Sequence, residues 1–172
     1  RLLKKRLNEQ RYYHSLCVAD EAVRLAEKYG CDTKKAFIAG LLHDITKNAD
    51  KQEHLNMFDD FGIMLNDVEI RAEKLWHAIS GALYIQHHLC IDDAEIINAV
   101  RYHTTARANM SLLEKIIYLA DFTSSDRDYP DVDKMRSLVD ISIEDALIYA
   151  LSYSINDLIN MGKALHIDTI NA

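Results

Sequence analysis

Apolar residues recur at helical spacing from one end of the chain to the other, and almost nothing interrupts them. The 172 residues include one proline, Pro130, and five glycines. Long helices joined by short turns require that scarcity, because Gly and Pro are the strongest punctuators of regular structure. Val18, Ala22, Leu25 and Tyr29 form one stripe, which Gly30 ends as a C-terminal stop. Asp32 suits the N-cap of a following helix whose face carries Ala36, Ala39 and Gly40. Asp50 with Glu53, and Asp92 with Glu95, resemble capping boxes with Asp in place of Ser or Thr. Ser111 with Glu114 matches the box itself and opens a helix from Leu112 to about Asp121. The clearest amphipathic stretch is Ile143, Ala146, Leu147, Ala150, Leu151, Ser154, Ile155 and Leu158. Alternating β-branched strands are absent. The expected fold is all-α, a single domain over residues 1–172 built as a bundle of about seven or eight helices. An irregular loop is expected around Thr123 to Asp131.

Composition narrows the function classes. Apolar residues at 49% and charged residues at 27% provide for a core and argue against a disordered chain. A formal net charge of −7 argues against a general nucleic-acid binder, which would carry a basic patch. It leaves room for a small phosphate-bearing substrate, because local charge decides at contact distance. Cys17, Cys31 and Cys90 are odd in number and lack CxxC spacing, which disfavours a disulfide framework or a thiolate zinc site. No apolar run approaches the ~20 residues that span a bilayer, and no signal-peptide pattern opens the chain. A cytoplasmic protein without a membrane partner is therefore expected. The sequence opens on Arg1 rather than Met, as one lacking its first few residues would.

The informative residues are polar ones standing where apolar ones belong. Four residues before Val18 on the first stripe stands His14. In the next helix Ala36, Ala39 and Gly40 lead to His43, and Phe37, Gly40 and Leu41 lead to Asp44. Ile96, Ala99 and Val100 are followed at the same spacing by His103, and Leu113, Ile116 and Ile117 by Asp121. His77 stands near the start of a helix carrying Ala78, Ile79, Ala82 and Leu83, a less decisive placement. Taken singly, each has a plain reading as a hydrogen-bonded core histidine or a capping aspartate. Together they put a His or Asp at the end of four apolar faces. An isolated carboxylate in such a place costs several kcal/mol, so Asp44 and Asp121 need a strong partner, and a metal ion supplies one. His54, His87, His88 and His166 bear no relation to the stripes and are expected at the surface.

These residues resemble the signature of the HD-domain phosphohydrolase superfamily, and their surroundings are similar to one branch, the bacterial YqeK family of symmetrical bis(nucleosyl)-tetraphosphate hydrolases. The resemblance rests on Arg11-Tyr12-Tyr13-His14-Ser15, on Ala39-Gly40-Leu41-Leu42-His43-Asp44-Ile45-Thr46-Lys47, and on His77 with Ser80-Gly81-Ala82. It continues through His103-Thr104-Thr105, Met110, Leu113-Glu114-Lys115-Ile116, Tyr118-Leu119-Ala120-Asp121 and Arg127-Asp128-Tyr129-Pro130. His43-Asp44 alone indicates only the superfamily, whereas the run from His103 to Pro130 points to the branch. The resemblance implies an HD fold, an iron centre of one ion or two, and cleavage of diadenosine tetraphosphate into two ADP. Carried over by position, His14, His43, Asp44 and Asp121 are metal ligands, and Arg11, Lys47, His77, His103, Thr104 and Arg127 face the nucleotide phosphates. His77 and His103 could instead serve a second metal. The chain departs from the branch at Cys17 and Ala106, where Gly is expected, and at Ser124-Ser125, where Glu-Pro is expected. Loss of Glu-Pro is expected to leave the loop before Arg127 less constrained.

The implied chemistry assigns each group a task. A metal lowers the pKa of a coordinated water from ~15.7 to as little as ~7, making hydroxide available for attack on a phosphorus. Asp44 would orient that hydroxide. Lys47, Arg127 and protonated His77 or His103 would stabilise charge spreading over the phosphoryl oxygens. Asp44, His77 and His103 are thus the expected catalytic residues. Iron comes from the resemblance, since His and Asp ligands alone leave manganese or zinc open. Three other readings compete: an HD nucleotidase or phosphodiesterase acting on another nucleotide, a non-catalytic nucleotide-binding domain, and a helical interaction module. A homodimer is left open.

Overall fold

A computed structural model describes all residues, Arg1–Ala172, and the chain is entirely helical. Eight helices are long: α2 (Glu9–Tyr29), α3 (Thr33–Leu42), α4 (Lys51–Asp60), α6 (Trp76–Leu83), α7 (Ala94–Tyr102), α8 (Leu112–Thr123), α9 (Val132–Ile141) and α10 (Ile143–Asn160). Three are short: α1 (Leu3–Arg6), α5 (Asp67–Arg71) and α11 (Ile167–Asn171). A 3-10 turn at Glu73–Leu75 leads into α6, and a π turn at Tyr84–His88 leaves it. No helix is long and apolar enough to cross a membrane.

Local chemistry sets most boundaries. Gly30 ends α2 in the left-handed conformation at φ 76°, where a side chain would be strained. The Asp32 carboxylate accepts from the Lys34 and Lys35 N–H groups, and Ser111 with Glu114 forms the complete reciprocal box. Two expectations need correction. Asp93, not Asp92, caps α7, accepting from the N–H groups of Glu95 and Ile96. Asp50 does cap α4, but the Glu53 carboxylate turns away to the Arg6 guanidinium, so that box is half formed. A capping box that the pattern did not reveal opens α5 at Asn66 and Glu69. The loop between α8 and α9 lies where it was expected.

The core is one cluster of 27 buried residues running through α2, α3, α7, α8 and α10. Val18, Leu25, Ile116, Ile117 and Leu119 are fully enclosed, and each such aliphatic side chain is worth ~1.5–3 kcal/mol in area removed from water. Helices α2 and α3 pack backbone to backbone at Gly40. A Cβ there would lie 2.9 Å from the Ala19 Cα and 3.1 Å from the Val18 carbonyl oxygen. That contact sets the distance between the His14 and His43 backbones. A smaller cluster of Phe58, Trp76 and Ile79 joins α4 to α6. Phe37 departs from its expected face and is exposed, although Asp44, reached through it on the stripe, is buried.

Candidate metal centre

Five elements deliver six imidazoles and carboxylates to one place: His14 from α2, His43 and Asp44 from the end of α3, His77 from α6, His103 from the end of α7, and Asp121 from α8. All but Asp121 are buried. Two overlapping groups have the geometry to hold an ion, with ligand atoms within 4.8 Å of one another. One comprises His14, His43 and Asp121, and the other His43, Asp44 and His103.

The hydrogen bonds set the tautomers. His43 donates from Nδ1 to the Gly40 carbonyl at 2.7 Å, and His103 from Nδ1 to the Val100 carbonyl at 2.7 Å. Each ring therefore turns its Nε2 toward the centre. The His43 Nε2 is completely buried with no hydrogen-bond partner, 3.6 Å from Asp44 Oδ2 and 3.9 Å from Asp121 Oδ1. A buried acceptor left unpaired costs ~1–3 kcal/mol, and a cation removes that cost. His14 makes the same point differently. Its Nδ1 lies 2.7 Å from Asp126 Oδ2 and its Nε2 2.9 Å from Asp121 Oδ1, so it needs two protons, or one proton and a cation. The donor set of imidazole nitrogens and carboxylate oxygens fits a first-row divalent metal.

Electrostatics agree. Burial pulls the His14 pKa down, but the carboxylates of Asp121 and Asp126 more than offset it and leave it raised. Burial, helped by neighbouring imidazoles and, at His77, by Lys47, outweighs the carboxylates and lowers His43 and His77 to about 4, so both are neutral at physiological pH in the ion-free site. This corrects the expectation of a protonated His77. Burial would raise Asp44 and Asp121, yet the surrounding nitrogens and the Arg127 guanidinium outweigh it and hold both ionised.

The expected phosphate-facing residues divide. Arg11 Nη1 lies 3.1 Å from Asp44 Oδ2, and Lys47 Nζ lies 3.0 Å from His77 Nε2 and 3.7 Å from Asp44 Oδ1. Burial lowers the Lys47 pKa, with Asp44 acting against it. His77 Nε2 sits 3.1 Å from Asp44 Oδ1 and 3.2 Å from His103 Nε2. Arg127 pairs with Asp121 through the side chain and donates from Nε to the Asp121 carbonyl at 2.6 Å. Thr104 alone stands apart. Its hydroxyl is buried without a partner, and the residue lines a separate cavity of about 900 Å³ between the 3-10 turn and the C-terminal tail.

Several residues of the site left no mark on the sequence pattern. Asp126 holds His14 and in turn accepts from the Ser124 hydroxyl at 2.7 Å. The loop that lacks Glu-Pro is therefore pinned, and Arg136 adds bonds to the carbonyls of Thr123, Ser124 and Arg127. Ala106, at a position expected to be Gly, is buried at φ 57°, the left-handed region that glycine favours. His54 and His166, expected at the surface, are buried, whereas His87 and His88 are exposed. His54 bonds to Ser80, and His166 caps α11 and meets Asn66 and Glu69. His54 shares the buried face of α4 with Met57 and Phe58 at i, i+3 and i+4, a short stripe that could have marked it, whereas His166 is buried beside Glu69, distant in sequence, where no stripe registers it.

Comparison with known proteins identifies the family. The HD domain family model matches residues 11–126. The symmetrical bis(5'-nucleosyl)-tetraphosphatase of Halalkalibacterium halodurans is 37% identical over 98% of this chain and 90% of its own length. That of Bacillus subtilis is 36% identical over 97% and 89%. A crystal structure from Clostridium acetobutylicum, described as a predicted HD superfamily hydrolase involved in NAD metabolism, superposes with a TM-score of 0.96 at 42% identity. It covers 99% of this chain and 90% of that one. With the His43-Asp44 pair at the centre of the converging helices, the chain belongs to the HD domain family of hydrolases, in the branch of the symmetrical bis(5'-nucleosyl)-tetraphosphatases.

Proposed function

We propose that this chain hydrolyses diadenosine tetraphosphate at its central phosphoanhydride, using a metal ion held by His14, His43, Asp44 and Asp121. Iron is the preferred ion, following the resemblance. The observation that carries the metal reading is the buried, unpartnered His43 Nε2 facing Asp44 and Asp121. The substrate reading is supported by relatives that match nearly the whole chain.

When bound, the ion supplies positive charge at the phosphoryl oxygens and acidifies a water. The chain supplies the rest. Arg11 and Lys47, at the mouth of the centre, hold phosphate oxygens, Lys47 as a point charge. Arg127 suits a phosphate contact once its guanidinium is shared with Asp121. Asp44, kept ionised, orients the attacking water by accepting its hydrogen bond. His77 and His103, whose Nε2 atoms adjoin Asp44, are the groups placed to take or return a proton. Water adds to an inner phosphorus, the central P–O bond breaks, and the bridging oxygen leaves with the second nucleotide, giving two ADP. A cytoplasmic setting fits the three free cysteines.

Product analysis tests this. Iron-loaded protein incubated anaerobically with diadenosine tetraphosphate is expected to release ADP as the sole early product, and the Asp44→Ala variant to release none while staying folded. ATP with AMP, or no cleavage by protein shown to carry iron, overturns the reading.

A further inference from the structure

Beside the metal centre lies a cavity of about 450 Å³ with a charge unlike that of the whole chain. Arg11, Lys47, Lys51 and Lys74 line it against one carboxylate, Glu73, in a protein of net charge −7. Such a wall suits a chain of phosphates. His54 is in the same wall, and its surroundings fix which nitrogen carries its proton.

A buried row of polar groups runs inward from His54. Its Nδ1 lies 2.8 Å from the Ser80 hydroxyl, which lies 2.9 Å from the Thr46 hydroxyl. Ser80 also meets the Trp76 carbonyl at 2.9 Å, and Thr46 the His77 carbonyl at 2.8 Å. Four contacts therefore compete for hydrogens, and the two hydroxyls bring only two. A third is available only when His54 carries its proton on Nδ1 and donates to Ser80. Burial keeps the ring below its ordinary pKa of 6.5, hence neutral. The Nε2 is then a bare acceptor with no partner in the chain.

We propose that His54 is a substrate-binding residue that reads the sugar, its Nε2 accepting a hydrogen bond from a ribose hydroxyl of a nucleotide whose phosphates lie along Arg11, Lys47, Lys51 and Lys74. This rests on the nucleotide reading above. The cavity favours the sugar over the base because Ala49 and Trp76 are its only apolar lining. The Trp76 ring is buried and Lys51 Nζ stands over it 5.5 Å from the centroid, so it presents no open face for stacking. The larger, more apolar cavity around Leu75, Leu158 and Met161 shares the Glu73 and Lys74 wall and suits a base.

Equilibrium binding of ADP, 2'-deoxy-ADP, 3'-deoxy-ADP and purine riboside diphosphate to the metal-loaded protein tests the assignment without relying on turnover. One deoxy analogue is expected to bind about fivefold more weakly than ADP, the loss of one neutral hydrogen bond. The amino-free purine analogue is expected to bind like ADP. In His54→Asn the amide N–H takes the place of Nδ1–H toward Ser80 while the acceptor is lost, so the ribose preference should vanish. His54→Gln, which returns an acceptor near the Nε2 position, should restore part of it. Equal binding of ADP and both deoxy analogues by the unaltered protein overturns the proposal. So does a ribose preference that persists in His54→Asn, a preference for the amino group in place of the hydroxyl, or no ADP binding. A protein that shows the ribose preference yet leaves diadenosine tetraphosphate intact keeps this inference and loses the catalytic one.

Discussion

Replacing Gly40 with alanine should push α2 and α3 apart and, with them, His14 from His43. The new Cβ would lie 2.9 Å from the Ala19 Cα, 3.1 Å from the Val18 carbonyl oxygen and 3.2 Å from the Ala19 nitrogen. All three are backbone atoms, so no side chain can swing aside. Carbon atoms rest at about 3.5–4.0 Å, which requires the helices to separate locally by about 0.6–1.1 Å. Overpacking of this kind costs ~1–3 kcal/mol, and the backbone nature of the clash puts Gly40→Ala toward the upper end. Alanine in a helix interior returns ~1 kcal/mol in propensity. The net loss is about 1–2 kcal/mol, a fall in Tm of roughly 2–8 °C for a chain of this size. The site should suffer more than the fold. The His14 and His43 rings stand 5.2 Å apart between centroids, and a displacement near 1 Å can cost up to ~10²-fold in rate. Gly81→Ala is the control: its Cβ would meet the Val100 Cγ1 at 3.4 Å and the Thr46 hydroxyl at 3.5 Å, ordinary contacts. Thermal unfolding, metal titration and turnover of both variants read the outcome. A Gly40→Ala protein with wild-type Tm and metal affinity, or a Gly81→Ala protein equally damaged, would refute the close-approach argument.

Three further outcomes follow from the same geometry. Asp126→Ala removes the carboxylate that orients His14 and should weaken metal binding by roughly 10–100-fold, read by competition with a chromogenic chelator; unchanged affinity would exclude the orienting role. Stripping the metal should lower stability by ~2.7 kcal/mol relative to protein held at a hundred times the dissociation constant, or roughly 5–10 °C in Tm; an unshifted melting curve would mean that the ion binds the folded and unfolded chains alike, or not at all. Burial lowers the His54 pKa below 6.5, so below that pH the unfolded chain takes up a proton that the folded one refuses, and stability falls as the medium is acidified. His54→Asn lacks that proton, so denaturant melts should show the stability advantage of wild type shrinking from about pH 7.5 to about pH 5.5; an advantage that grows would reverse the sign of the shift.

Much of the architecture was legible in the sequence, because helix formation is governed by neighbours three and four residues apart. The stripes, the Gly30 stop and the caps at Asp32 and Ser111 are all local, and all are present. The same period exposed His14, His43, Asp44, His103 and Asp121 as polar intrusions on apolar faces, and the structure brings them together. Single-residue cap placement was less secure: Asp92 and Asp93 are both competent caps, and only the chain path into α7 selects the second. The tertiary structure alone decided what depends on contacts between distant segments. Asp126 reaches His14 across 112 residues, and His54 meets Ser80 across 26. The chain path also decided that Thr104 faces a different cavity from Lys47, and that Ala106 takes a conformation glycine would adopt more readily. Periodicity reports which face of a helix is buried. It carries no information about which buried faces meet, so ring tautomers, shifted pKa values and cavity walls arise only when the helices close on one another.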